Sequence, residues 1–309
     1  MNLGGDLVMR DKEKLSDVVK DFLVRCELRD LQHQTIVDHS RKLGRLVECC
    51  GDCALGEVSP VMVRKFLDNL KNEYGLDAGT VQRHLVSVKA FFRWVYEEGF
   101  IIRNPTVGVR VGGVIRKVVK GLSPVELARL LASVGDGSSV LAVRHGAMVY
   151  VLVDCGLRIS ELMNLKLSDV DWSTGVLRIR GKGFKERFVR MGLSTSRVLK
   201  GYLVVRNGNG RSDADWLWLN DEGNKCERSV VQHWIGVLGN RLGMRLHAHL
   251  LRHTFAISFL RNGGNVFALQ AMLGHSTLEM TRRYCQALGF EDVFKVHEVA
   301  SPVDNAFKL

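Results

Sequence analysis

Long apolar runs are absent from this 309-residue chain. No stretch approaches the roughly 18 residues that would suggest a bilayer span. Residues 1–14 are charged and glycine-containing rather than a basic cap on an apolar core, so the expectation is a cytoplasmic protein, neither exported nor membrane-spanning. A disulfide framework is also missing. The seven cysteines are odd in number and irregular in spacing, in a chain large enough to build a core without staples, which predicts reduced thiols. Cys50-x-x-Cys53 has no second Cys or His pair at finger-like spacing, so no metal is expected there. There is no internal repeat and no low-complexity tract.

What the chain has in excess is positive charge. Lys plus Arg number 44 against 33 for Asp plus Glu, a formal charge of +11, and the isoelectric point is about 9.5. A polyanionic partner is implied, with nucleic acid ahead of a membrane surface. Length and a 46% hydrophobic content suffice for two domains with separate cores.

From Lys14 to about Phe100 the pattern is helical. Val18, Val19, Phe22, Leu23 and Cys26 share one helix face, and Ile36, Leu43 and Leu46 repeat the spacing over Thr35 to Cys49. Ser59-Pro60 reads as an N-cap with proline at the first helical position. A fourth helix, Thr80 to Glu98, lines up Val81, Leu85, Val88, Phe92 and Val95, with Arg83, Lys89 and Arg93 mostly off that face. These cations are either a solvated face or phosphate contacts. Asn104-Pro105 ends the block, and a glycine-rich basic linker carrying Arg116, Lys117 and Lys120 follows. The expected division is therefore 14–106, a linker 107–121, and 122–309.

The second domain opens on Ser123-Pro124-Val125-Glu126, a capping box. An apolar helix from Val140 to Cys155 stops at Gly156, with Arg158 just beyond and Glu161 three residues later. Gly175 to Arg180 alternates as a strand, and Glu186 to Met191 is expected to return antiparallel. The connecting tip holds Lys182 and Lys185, and six of the 13 residues from Arg178 to Arg190, Arg180 among them, are Lys or Arg. His249, Arg252 and His253 share a stripe on a helix over Leu246 to Asn262. His275 falls in a turn after Gly274, and Ser276-Thr277-Leu278-Glu279 reads as a capping box that places Tyr284 about two turns into a helix. The fold class expected is mainly α with a small antiparallel β-sheet.

Arg158, Lys182, His249, Arg252, His275 and Tyr284 together supply a nucleophile, cations for a phosphate whose charge grows in the transition state, and proton donors and acceptors. Any one of them alone is unspecific. The ordered set, with Leu-Gly-His 23 residues beyond Arg252 and the tyrosine nine further on, is not demanded by packing.

From Leu122 to Gln286 these pieces resemble the catalytic domain of the tyrosine recombinases, the phage integrase and Xer family, and Lys14 to Pro105 resembles that family's SAM-like core-binding domain. The resemblance implies a two-domain site-specific recombinase. Tyr284 would attack the scissile phosphate to give a 3′-phosphotyrosine and a free 5′-hydroxyl, with no metal, ATP or other cofactor. Arg158 and Arg252 match the phosphate-gripping arginines, Lys182 the general acid for the leaving oxygen, His249 the residue managing the tyrosine proton, and His275 a donor to the phosphate. Glu161 fits an orienting acidic position, and His253 reads as structural. Family assembly implies a homotetramer acting through a Holliday junction, with a C-terminal tail around Phe290, Val293, Phe294 and Val296 docking in a neighbouring protomer or on its own domain, and accessory proteins in some systems. With a short stretch before Lys14, the expectation is a simple recombinase acting at short core sites of double-stranded DNA, without a separate arm-binding domain. Arg83, Lys89, Arg93, Arg116, Lys117, Lys120, Arg178, Arg180 and Lys185 are candidate DNA contacts. Competing readings are a type IB topoisomerase or telomere resolvase, a non-catalytic DNA-binding relative, and a zinc enzyme using His247, His249 and Cys285.

Overall fold

The computed structural model describes residues 10–113, 118–134, 139–181, 186–208 and 215–301. The chain divides into two compact units, 1–116 and 117–309, a boundary that falls inside the stretch read as a linker.

The first unit is built from four helices, α1 (Leu15–Leu28), α2 (His33–Cys50), α3 (Pro60–Asn72) and α4 (Ala78–Glu97). Each turns its apolar stripe inward, so that Val18, Phe22, Leu43, Phe66, Leu85 and Phe91 are buried together. Phe22 meets Phe91 edge-on at 5.6 Å, an arrangement that ring quadrupoles favour. Ser59 caps α3 as its sequence predicts, Oγ accepting from the Met62 amide. The fourth helix begins two residues earlier than its apolar pattern indicates, because Asp77 accepts from both the amide and the hydroxyl of Thr80. Arg83 and Arg93 lie exposed on its outer side, and Lys89 is half-buried.

The second unit surrounds α6 (Val140–Cys155), which follows α5 (Pro124–Ser133) and is buried on most of its circumference through Ala147, Met148, Val151 and Leu152. Ser123 and Glu126 form the predicted capping box at the start of α5. Gly156 closes α6 at φ 62°, and a Cβ there would lie 2.2 Å from a Phe255 ring carbon. Only glycine satisfies both the left-handed backbone and that approach. The chain then enters the short helix α7 (Ile159–Met163).

Three strands, β1 (Val170–Asp171), β2 (Val176–Arg180) and β3 (Glu186–Arg190), pair antiparallel in sequence order. The two-residue β1 is too short to carry an alternation signal and was not expected. In the β2–β3 register Leu177 faces Val189 and Ile179 faces Arg187, so Arg187 shares the face of buried Ile179 while Phe188 is exposed. The tip with Lys182 and Lys185 lies outside the described residues, as do Arg116 and Lys117. The remaining helices are α8 (Leu193–Gly208), α9 (Arg228–Arg241), α10 (Ala248–Arg261), α11 (Val266–Leu273), α12 (Leu278–Cys285) and α13 (Phe290–Ala300). The capping box expected at Ser276 does not form. Thr277 is the N-cap without a side-chain bond, and the Ser276 hydroxyl turns instead to the Met280 sulfur at 3.8 Å. No helix among the described residues is long and apolar enough to cross a membrane.

His145 on α6 stacks on Trp234 with ring centroids 4.1 Å apart. Burial, with Arg144 adding to it, pushes its imidazole from the ordinary 6.5 down to about 4. The unfolded chain binds this proton more readily, so His145 contributes stability that is complete above pH 6.5 and is lost as pH falls toward 4. His253 and His275, pushed down to about 3 and about 4, act with the same sign. Urea midpoints measured from pH 7.5 to 4.5 are expected to fall below pH 6.5, and His145→Gln is expected to flatten that slope.

Candidate active site

The predicted catalytic residues that are described lie in the second unit, where the arginines gather around one buried carboxylate. Glu161 reaches back from the first turn of α7, accepting from the Arg158 amide at 2.7 Å and from Arg158 Nη1 at 2.7 Å. Arg187 of β3 grips the same carboxylate with both terminal nitrogens, at 2.9 and 2.7 Å. Arg252 Nη1 stands 3.8 Å from it. Burial pushes the Glu161 carboxyl up, but the Arg187 hydrogen bonds and charge, together with Arg158, hold it below the usual carboxylate range.

Arg252 is buried and gives two of its donors to backbone. Nη1 donates to the Gly156 carbonyl at 2.6 Å and Nη2 to the Leu273 carbonyl at 2.8 Å. Burial and the neighbouring Arg158 charge bring it down to about 10, which still leaves it ionised at neutral pH. Arg158 is the more open of the pair, its side chain 41% exposed. An anion approaching from solvent therefore meets Arg158 with Arg252 set behind it.

His275 follows α11 and is held at both ring nitrogens, Nε2 by Arg252 Nη2 at 3.2 Å and Nδ1 by Thr281 Oγ1 at 2.9 Å. A guanidinium cannot accept, so Nε2 is the acceptor and the ring proton sits on Nδ1. At rest His275 is thus not the phosphate donor that the resemblance implies. Burial and the arginine charges hold the ring neutral, down to about 4, and an arriving anion would reverse the second of those effects.

Tyr284, the seventh residue of α12, is 2% exposed. Its hydroxyl lies 3.0 Å from His253 Nδ1. Burial pushes the phenol up, while Arg252, Arg283 and Arg158 pull it partly back. Burial pushes His253 down to about 3, so this imidazole is neutral at rest, and in its Nε2-protonated tautomer Nδ1 accepts a hydrogen bond from the phenol. His249, one turn earlier on α10 and open to solvent, stacks edge-on against His253 at 4.2 Å. Read from the sequence as structural, His253 is the residue that meets the tyrosine hydroxyl. Its i+4 spacing from His249 carried that signal, since both must project from one side of α10.

The other candidate residues separate. Arg178 and Arg180 both turn to Asp169, each 3.1 Å from Oδ1, so much of their charge is spent on the turn that precedes β1. Lys120, Arg83 and Arg93 are exposed. His247 belongs to a helix cap, its Nδ1 accepting from the Leu250 amide, rather than to a ligand set with His249 and Cys285. Among the described residues no three His, Cys, Asp or Glu side chains are placed to hold a metal ion.

Known proteins resemble this chain in sequence and in fold. Residues 120–289 match the model of the phage integrase family, and residues 25–99 match the phage integrase N-terminal SAM-like domain. The tyrosine recombinase XerC of Actinobacillus pleuropneumoniae is 30% identical over 287 residues, spanning 91% of this chain and 92% of the relative. XerC of Leptospira interrogans is also 30% identical, over 94% of each. The fold is shared with the Tn1549 transposon integrase in complex with circular intermediate DNA, at a TM-score of 0.76 and 22% identity over 92% of this chain and 98% of that one. It is shared too with the XerH site-specific recombinase bound to difH, at a TM-score of 0.72 and 22% identity over 94% and 84%. With one family model spanning more than half of its length and relatives 30% identical across nine-tenths of it, the chain belongs to the phage integrase family of tyrosine recombinases.

Proposed function

We propose that this chain is a site-specific DNA recombinase that cuts and rejoins DNA by covalent catalysis at Tyr284. The observation that carries the reading is a buried tyrosine hydroxyl on a neutral imidazole, beside two arginines anchored to one carboxylate. Arg158 and Arg252 hold the non-bridging oxygens of the scissile phosphate, for which a planar guanidinium with paired N–H groups is suited. The Tyr284 oxygen attacks phosphorus as its proton leaves along the hydrogen bond to His253, an imidazole that the charge of the bound phosphate makes more basic than it is at rest, with His249 on the solvent side of the pair. The 5′-oxygen leaves as a hydroxyl, protonated by Lys182, and the 3′-phosphotyrosine retains the bond energy for rejoining, so ATP is not needed. The phosphate's own charge offsets the cations that depress His275, letting the ring protonate and turn from acceptor to donor.

Family precedent and surface chemistry support the rest. Four protomers on two paired sites would exchange strands through a Holliday junction. Helix α13 leaves Phe290, Phe294 and Val299 exposed, at 82%, 62% and 73%, which supports a tail that docks on a neighbouring protomer. Arg83, Lys89, Arg93 and Lys120 are available to DNA phosphates, and Arg116, Lys117 and Lys185 are carried with them. The setting is the cytoplasm, where the DNA is.

Covalent capture tests the reading. The protein is mixed with fragmented host DNA and denatured, and the protein-linked 3′ ends are sequenced. Attachment at a few discrete sites is expected from the unaltered chain and none from Tyr284→Phe, with DNA binding retained. Arg158→Ala is expected to lower cleavage by about 100-fold or more while binding changes little; equal losses in both would remove its transition-state role. His253→Ala is expected to slow cleavage by at least about 100-fold, in the range of a lost acid–base group. Cleavage at the unaltered rate would reduce His253 to a packing residue.

A further inference from the structure

We propose that Arg187 is a positioning residue for the phosphate site: it neutralises Glu161 so that Arg158 and Arg252 keep their charge for the DNA, and it ties that carboxylate to the turn carrying His275. The proposal rests on the phosphate-gripping reading of Arg158 and Arg252.

The geometry singles out Arg187 in three ways. Its side chain is only 12% exposed, although it belongs to a strand of a small surface sheet, and it projects on the face of Ile179 rather than outward. It spends both terminal nitrogens on Glu161 and its Nε on the Met272 carbonyl at 2.6 Å. The next carbonyl, that of Leu273, is taken by Arg252. These are carbonyls at the C-terminal end of α11, where helix geometry leaves acceptors without internal partners. Two arginines therefore hold consecutive carbonyls immediately before Gly274 and His275, and both approach Glu161 with their other nitrogens. The fit is close at Gly274 as well, where a Cβ would lie 3.0 Å from the Arg187 Cδ at φ 63°.

Charge gives this arrangement its consequence. Arg158, Arg187, Arg252 and Glu161 sum to a net charge of two positive, three guanidiniums against one carboxylate. The bidentate pair with Arg187 is the closest match of donor fork to carboxylate, and it leaves Arg158 with a single side-chain contact and Arg252 at 3.8 Å. Without Arg187, Glu161 remains buried and charged with only the two phosphate-facing arginines to compensate it. They would be drawn onto the carboxylate and away from an incoming phosphate, and the site's net charge would fall by one.

A residue that merely bolts β3 to α11 would make no such distinction, and the double variant separates the two. Removing the surplus carboxylate along with the arginine, in Arg187→Ala with Glu161→Gln, frees Arg158 and Arg252 again and leaves no buried carboxylate short of a partner. Two readouts are taken on the unaltered protein, Arg187→Ala, Arg187→Lys and the double variant, with thermal melts to confirm folding. One is the rate of covalent attachment to the DNA fragments recovered by capture. The other is affinity for inorganic phosphate measured by calorimetry, which needs no cleavage. Arg187→Ala is expected to lose about 100-fold in attachment, the scale of a misplaced catalytic group, and to bind phosphate more weakly. The double variant is expected to regain about ten-fold of that loss, a coupling within the range seen for residues sharing one network, and to recover phosphate affinity. Arg187→Lys, which keeps the charge but not the fork, is expected to fall between. A folded double variant no better than Arg187→Ala in phosphate affinity overturns the proposal, as does Arg187→Ala at the unaltered phosphate affinity. If the unaltered protein attaches to no DNA while the phosphate order holds, the recombinase reading falls and this one stands.

Discussion

The buried carboxylate of Glu161 is the constraint on which the catalytic unit depends. A charge removed from water has to be compensated, and here the compensation comes from α7, from β3 and, at longer range, from α10. Breaking such a pair by removing one partner costs about 3–5 kcal/mol. The elements that carry the arginines are thereby fixed relative to each other by chemistry rather than by packing alone. The apolar core beneath, around α6, sets where the elements stand, while the carboxylate sets the directions of the side chains.

Arg252 extends the same logic into the backbone. Gly156 ends α6 in a left-handed turn whose carbonyl, like that of Leu273, points to the guanidinium. Both residues lie at helix C-termini, where acceptors are otherwise orphaned. One side chain thus caps two helices. The histidines differ in kind: their neutrality comes from burial and from neighbouring arginines, so their protonation responds to whatever anion enters.

Much of this was legible in the sequence because the chemistry is local there. Gly156 and Arg158 are two residues apart, His249, Arg252 and His253 share a helix stripe, and His275 sits behind a glycine stop, so spacing alone places them. Long-range partners were hidden. Arg187 reads as one more cation in a basic hairpin, and only the register opposite Ile179, with Phe188 turned outward, reveals that it faces inward. His253 was underweighted because nothing in a helix stripe says which of two histidines a residue 31 positions away will meet. The Ser276 box failed for a related reason, since a capping pattern states what is available and not what a competing sulfur contact takes.

Tyr284 stands one residue from the end of an eight-residue helix. A helix that short has too few internal bonds to persist by itself. The placement of the reactive oxygen is therefore borrowed from its surroundings: from Thr281 bonded to His275, from His253, and from the Arg261 guanidinium, which joins α10 to the Ala287 carbonyl and to Asp292 at the start of α13. Mechanically, α12 is a bridge supported at both ends with little stiffness of its own. The path from the α13 end to the nucleophile is only a few residues long, whereas the arginine cradle is braced across three elements.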